Sequence, residues 1–155
     1  MIILGVDPGL NGAFAILGDG ALIEAADLPT MGEGARRRLD SGAWSDTLRL
    51  TRFDLAVVEQ VGAMPGQGVS SMFRFGYAAG QIIGVIDALR IPVKWVSPAS
   101  WKRSMNIGAD KEKSRALAIE TFPDLRDRFR RKADHGRAEA ALIALWGART
   151  QNGRA

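Results

Sequence analysis

The sequence predicts an α/β fold: a mixed five-stranded sheet, three antiparallel strands then two parallel ones, with helices on both faces. Three observations predict it. The apolar runs Ile2–Asp7, Gly12–Leu17 and Ala21–Asp27 are separated only by turn formers, Pro8-Gly9, Asn11-Gly12 and Gly18-Asp19-Gly20. Two later apolar runs, Phe53–Glu59 and Ile91–Val96, alternate with stretches of helical spacing. Right-handed crossovers then set the fourth and fifth strands parallel to the first, on its open edge.

The first three strands read as a hairpin-linked meander. A polar stretch with Gly32, Gly34 and Arg36-Arg37-Arg38 follows and predicts a mobile loop, then a short helix over Trp44–Leu50. The strand ending at Glu59 gives way to a Gly/Pro-rich loop, Gly62–Gly68, and to the longest helix, Ser70–Leu89. After the fifth strand, Ser97-Pro98 opens a short helix through Trp101-Lys102-Arg103, and Asp110 caps a helix reaching Thr121. A last helix spans His135–Ala148, where Ala138, Ala141, Leu142 and Leu145 recur at helical spacing. The 155 residues suit one domain, residues 1–155, with no internal repeat.

Composition narrows the function classes. The chain has no cysteine, which excludes disulfides, thiolate zinc sites and cysteine nucleophiles and suits a reducing, cytoplasmic setting. Met1–Gly9 lacks the basic flank and apolar length of a signal peptide, and Phe75–Leu89, broken by Gln81 and Asp87, is too short for a bilayer. No membrane partner is therefore expected. The charge is uneven. Residues 1–89 carry 6 Lys/Arg against 10 Asp/Glu, whereas residues 90–137 carry 13 against 6. A basic half beside an acidic half suits a protein that grips a polyanion while its acids hold metal, although Lys/Arg-rich helices also serve as plain solvated surface.

The acids carry the sharper argument. Asp7 ends the first strand and Glu59 the fourth, so in the expected sheet both emerge at one edge, side by side. Two carboxylates at the ends of apolar runs repel and resist desolvation, and a divalent cation relieves both problems. The plainer alternative is a turn cap at Asp7 and a solvent-facing Glu59. Near the C-terminus His135 and Glu139 share a helix face, and Asp134 stands where an N-cap would. Oxygen donors without thiolate favour Mg²⁺, with Mn²⁺ as substitute. Two such ions roughly 3.5–4 Å apart would activate water and stabilise the leaving oxygen of a phosphodiester.

Across nearly its whole length the sequence resembles the RuvC-like Holliday-junction resolvases, of the RNase H-like superfamily. Gly5-Val6-Asp7-Pro8-Gly9 is similar to the family's opening strand and first metal-binding aspartate, and Val58-Glu59-Gln60-Val61 to its glutamate motif. The helix bearing Gly76, Gly80 and Gly84 resembles the dimer-forming helix. Pro98–Lys102 and Asp110-Lys111-Glu112-Lys113-Ser114 resemble two DNA-contacting lysine segments, and Asp134–Leu145 the C-terminal acidic helix. The resemblance implies a homodimeric endonuclease that cuts four-way DNA junctions symmetrically. In it Asp7, Glu59, Asp134 and Glu139 hold the metals, and His135 is a ligand or proton carrier. Lys102 and Lys113 neutralise the scissile phosphate, while Arg115, Arg130, Arg131 and Lys132 grip the arms.

The sequence departs from the family twice. Where the family has a second acid three residues before its last one, Gly136 precedes Glu139, so either Asp134 or His135 completes the set. Where an aromatic commonly follows the glutamate motif, Gly62, Ala63 and Met64 stand, with Met64, Phe73 and Phe75 as substitutes. Rival readings are a junction-binding protein without catalysis, a nuclease of the same fold acting on other branched DNA or RNA–DNA hybrids, and an actin-like nucleotide-binding lobe suggested by Gly5–Gly9.

Overall fold

A computed structural model describes residues 1–60, 62, 66, 68–151 and 153. Its main sheet contains β1 (Ile2–Asp7), β2 (Ala13–Gly18), β3 (Ala21–Asp27), β6 (Leu55–Glu59) and β7 (Val93–Val96), in the order β3-β2-β1-β6-β7. β1–β2 and β2–β3 are antiparallel, whereas β1–β6 and β6–β7 are parallel. The expected sheet and its strand order are borne out. The β2–β3 turn is closed by Asp19 and Gly20, both at positive φ (49° and 87°), the backbone that an Asp-Gly pair favours between twisted strands.

Strand boundaries shift by a residue or two from those expected. The run read from Phe53 forms strand from Leu55, and Asp54 joins it to β1, its amide donating to the Ile2 carbonyl at 2.9 Å and its carboxylate accepting the Ile2 amide at 2.7 Å. The polar stretch after β3, expected to be a mobile loop, is a two-stranded ribbon. β4 (Thr30–Met31) pairs antiparallel with β5 (Arg38–Leu39) around a single 3₁₀ turn, Gly34–Arg36. Leu39 plugs into the core, and the Asp40 amide donates to the Pro29 carbonyl at 2.9 Å.

Helices cover both faces of the sheet, as expected. On one face α1 (Ser41–Arg49), capped by Asp40, and α2 (Val69–Ala88) bury Leu4, Val6, Phe14, Ala56 and Val58 beneath Trp44, Leu48, Ile82 and Ile86. On the other, α5 (His135–Gln151) lies across β1, with α3 (Pro98–Ser104) and α4 (Lys111–Thr121) outside it. Every residue of α5 from Ala138 to Ala144 is buried, which explains its run of alanines: a helix with neighbours all round needs small side chains. The approach is backbone to backbone. A Cβ added to Gly5 would fall 2.2 Å from the Ala140 carbonyl, and one on Gly147 would fall 2.4 Å from Val57 Cγ2. Short 3₁₀ helices, Pro123–Phe129 and Lys132–Asp134, which sequence periodicity missed, lead into α5. Among the described residues no helix is long and apolar enough to cross a membrane.

Candidate active site

Strand alternation aims the two strand-end acids. Ile3 and Gly5 face α5, as do Leu55 and Val57, so Asp7 and Glu59, next in each series, also point toward α5. They stand one step beyond the paired Val6 and Val58 on adjacent parallel strands. One turn into α5, Glu139 approaches from above. It is only 6% exposed, so it is not the solvated surface glutamate of the plainer reading. Gly136 lies one turn earlier on the same face, close enough that an added Cβ would be 3.3 Å from Asp7 Oδ2. The position where the resemblance implied a second acid is therefore beside Asp7, and here it is backbone alone.

The three acids feel one another. The Asp7 carboxyl is pushed up to about 8, first by burial and then by the charges of Glu59 and Glu139, with Lys102 and Lys111 pulling the other way. Glu59 is also raised, chiefly by burial, with Glu139 adding to it; a hydrogen bond from Trp101 Nε1 to Glu59 Oε2 (2.9 Å) and the charge of Lys102 oppose the rise. Lys102 reaches in from α3, its Nζ 2.8 Å from Glu139 Oε1, and Ser114 Oγ donates to the same oxygen at 3.2 Å. A half-buried ammonium thus pairs with Glu139 and pulls against the raised pKa values of Asp7 and Glu59. Trp101, itself fully buried, sets the direction of Glu59, and sequence reading gave it no role because its indole is indistinguishable from core filling.

Helix phase decides which lysine of α4 joins the site. Ser114 faces Glu139, and Lys111, three residues earlier, shares that side and influences Asp7. Its Nζ lies 3.1 Å from His135 Nε2, while His135 Nδ1 is 3.3 Å from the Lys132 carbonyl; the Nδ1–H tautomer satisfies both contacts. Lys113, two residues from Lys111 and so about 200° round the helix, is exposed on another side. Of the two, Lys111 is the one whose charge reaches Asp7; Lys113, expected at the scissile phosphate, faces solvent.

Asp134 is not brought to the cluster. It is buried, and its carboxylate accepts from Arg131 Nη2 (2.8 Å), Arg131 Nε (3.1 Å) and the Arg131 amide (2.8 Å), with Arg137 Nη1 at 3.6 Å. Burial alone would raise its pKa, but the hydrogen bonds and charge of Arg131 hold it below the ordinary value. Of the expected grip residues, Arg115 donates to the Phe129 and Arg130 carbonyls and pairs with Glu112. Arg130 pairs with Asp127, Arg131 with Asp134, and Lys132 is exposed. Of the expected stacking substitutes, Phe73 is exposed on α2 and Phe75 packs at Gly9, while Met64, with Val61 and Ala63, lies outside the described residues.

The donor set can be weighed as a cation site. Among the described residues no three His, Cys, Asp or Glu side chains already form a metal cage. Asp7, Glu59 and Glu139 nevertheless supply oxygen donors from three separate elements, two of them with pKa values raised by crowding and burial. That is the donor chemistry a hard divalent ion takes, and the three fit it. Asp134, spent on Arg131, does not.

RuvC of T. thermophilus in complex with a Holliday junction substrate superposes with a TM-score of 0.75, at 18% identity, over 99% of this chain and 98% of that one. This chain has the RuvC fold. The fowlpox virus Holliday junction resolvase matches at a TM-score of 0.55 and 18% identity, covering 97% of this chain and 99% of that one. The yeast mitochondrial Holliday junction resolvase Ydc2 matches at 0.52 and 14%, covering 98% and 82%. In sequence, the chloroplastic Holliday junction resolvase MOC1 of Chlamydomonas reinhardtii is 33% identical over 91 residues, 57% of this chain. The chain spans only 10% of that relative's length. No family model matches the chain. Within the RuvC fold Asp7 and Glu59 occupy the end of the first strand and of its parallel neighbour, and Glu139 the last helix.

Proposed function

We propose that this RuvC-fold chain is a Mg²⁺-dependent endonuclease that resolves four-way DNA junctions by hydrolysing one phosphodiester in each of two strands. The observation that carries the reading is the meeting of Asp7, Glu59 and Glu139 from three distant parts of the chain, with Lys102 and Lys111 beside them. The names of the matching structures and of the chloroplast relative agree with it. Asp7, Glu59 and Glu139 would hold the metal, which when bound activates water and stabilises the leaving oxygen. Mn²⁺ would substitute for Mg²⁺, and two ions per site is the count this chemistry suits.

The chain's own groups do the rest. Lys102, held at Glu139, and Lys111, at the mouth, supply positive charge for the scissile phosphate. His135, whose Nε2 lies 3.1 Å from Lys111 Nζ, would serve at the edge of the site as a ligand or proton carrier once Lys111 turns to phosphate. Trp101 keeps Glu59 oriented and water away from its inner side. The α2 face of Gly76, Gly80 and Gly84, exposed together with Phe73 and Tyr77, suits self-association into a two-fold dimer, which would set two identical sites on two strands of a two-fold junction.

The absence of a finished cage among the described residues favours a second reading, a junction binder without catalysis. One experiment separates them. The protein and its Asp7→Asn variant are incubated with an end-labelled synthetic four-way junction, a linear duplex and an RNA–DNA hybrid, with and without Mg²⁺. Symmetric nicks in the junction alone, dependent on Mg²⁺ and lost in the variant, support the enzyme. A shifted band with no nick in Mg²⁺ or Mn²⁺ favours the binder, and preferential cutting of the hybrid would redirect the substrate.

A further inference from the structure

Six of the thirteen Lys/Arg of residues 90–137 pair with carboxylates within the molecule, Lys102 with Glu139 among them. Arg128 pairs with Glu24, Arg130 with Asp127, Arg131 with Asp134, Arg137 with Asp27 and Arg115 with Glu112. The ribbon after β3 is different. Ala13 pairs with both Asp7 and Asp27, so the end of β3, and the ribbon that follows it, lie at the same sheet edge as the acids. Alternation sorts its side chains: Arg37 is half-buried and Leu39 fully buried, whereas Arg36 and Arg38 are exposed. Arg37 fastens the ribbon to the turn after Asp7, donating from Nη2 to the Leu10 carbonyl (2.8 Å), from Nη1 to Asn11 Oδ1 (2.7 Å) and from Nε to Thr30 Oγ1 (3.3 Å). Among the described residues neither Arg36 nor Arg38 forms an ion pair within 4.0 Å, and the ribbon's one acid, Glu33, pairs with neither.

A cavity of about 380 Å³ lies between this turn and the first turns of α2, lined by Asp7, Gly9, Asn11, Ser71, Arg74 and Phe75 among others. Leu10 and Asn11, which line it, are the residues that Arg37 of the ribbon grips.

We propose that the β4–β5 ribbon is a phosphate-binding arm, in which Arg36 and Arg38 clasp the backbone of a DNA duplex beside the cleaved strand while Arg37 fixes the arm's distance from Asp7. Guanidinium groups suit phosphate oxygens, and two free ones on a rigid ribbon hold a duplex without reading its sequence. This rests on the junction-cleaving reading and adds to it the element that carries much of the binding charge.

The test measures junction binding by fluorescence anisotropy in EDTA across a salt series. It compares the wild type, Arg36→Gln with Arg38→Gln, and a control pair, Arg49→Gln with Arg52→Gln, which removes the same charge from exposed residues at the opposite sheet edge. Each phosphate contact contributes about 0.9 to the slope of log K against log salt, so the ribbon pair should flatten the slope by nearly 2 and weaken binding about tenfold at moderate salt. The control pair should keep the wild-type slope, and all three should melt alike because every substituted side chain is exposed. An unchanged slope in the ribbon pair, or an equal loss in the control, overturns the arm while leaving the junction reading intact. A wild type that binds the junction no better than a linear duplex overturns the junction reading itself.

Discussion

Asp7→Asn should make the metal-free protein more stable at pH 8 while abolishing cleavage. Burial first, then Glu59 and Glu139, lift the Asp7 carboxyl from 3.8 to about 8. Between those values the folded chain holds a proton that the unfolded chain has released, so stability falls as pH rises through that window. Each pH unit is worth about 1.4 kcal/mol, which over some four units sets a ceiling near 5–6 kcal/mol. Relaxation of the surroundings trims this to the order of 2–4 kcal/mol, since buried groups respond as if in a more polarisable medium than dry protein. Asparagine keeps the shape and discards the charge. In a chain of this length the gain corresponds to roughly 5–15 °C. Thermal melts of both proteins from pH 4.5 to 8.5 in EDTA should nearly coincide at the acid end and separate steadily above it. Added Mg²⁺ should raise the wild type alone and close the gap. A pH-independent difference, or a variant less stable at pH 8, would refute the claim that crowding of the three acids controls this carboxyl.

Three further outcomes are expected. Lys102→Met leaves buried Glu139 without its ammonium and should cost about 3–5 kcal/mol in urea melts without metal, partly recovered with Mn²⁺; an unaffected melt would show that the pair is incidental. Gly5→Ala drives a methyl into the Ala140 carbonyl and should destabilise by about 3 kcal/mol or more, read from the same melts, while a tolerated alanine would mean that α5 can lift freely. Asp134, held below its ordinary pKa, contributes stability that is complete above 3.8 and lost as pH falls through the lower folded value. Asp134→Asn should remove that acid-side dependence and retain cleavage; a loss as deep as that of Asp7→Asn would instead make Asp134 a ligand.

Much of the fold was legible because its signals are local. Tight turns between apolar runs forced the meander, and crossover handedness fixed where β6 lies, so the adjacency of Asp7 and Glu59 followed from topology. Glu139 was legible as a candidate, but its burial depends on α3 and α4 closing over α5, which no local pattern announces. The choice between Lys111 and Lys113 turned on helix phase: two residues apart on one helix they face different ways, and a sequence without its packing partner cannot say which side is inward. Asp134 and Arg115 have partners that sequence could not reveal, for a common reason. Each is matched to an arginine or a carbonyl only a few residues away in space, and such pairings are invisible until the 3₁₀ turns between α4 and α5 are known. The ribbon escaped because two-residue strands leave no periodicity to read.

The glycine seat of α5 on β1 has a consequence for how this site can vary. With no side chain between Gly5 and Ala140, main chain rests on main chain, and the offset from Asp7 to Glu139 is set by the contact of two backbones. Rotamers, hydration and neighbouring packing can all drift without changing that offset. A lineage could therefore remodel its arms and loops widely while the spacing of its acids stayed constant, so long as nothing larger than hydrogen grew at Gly5.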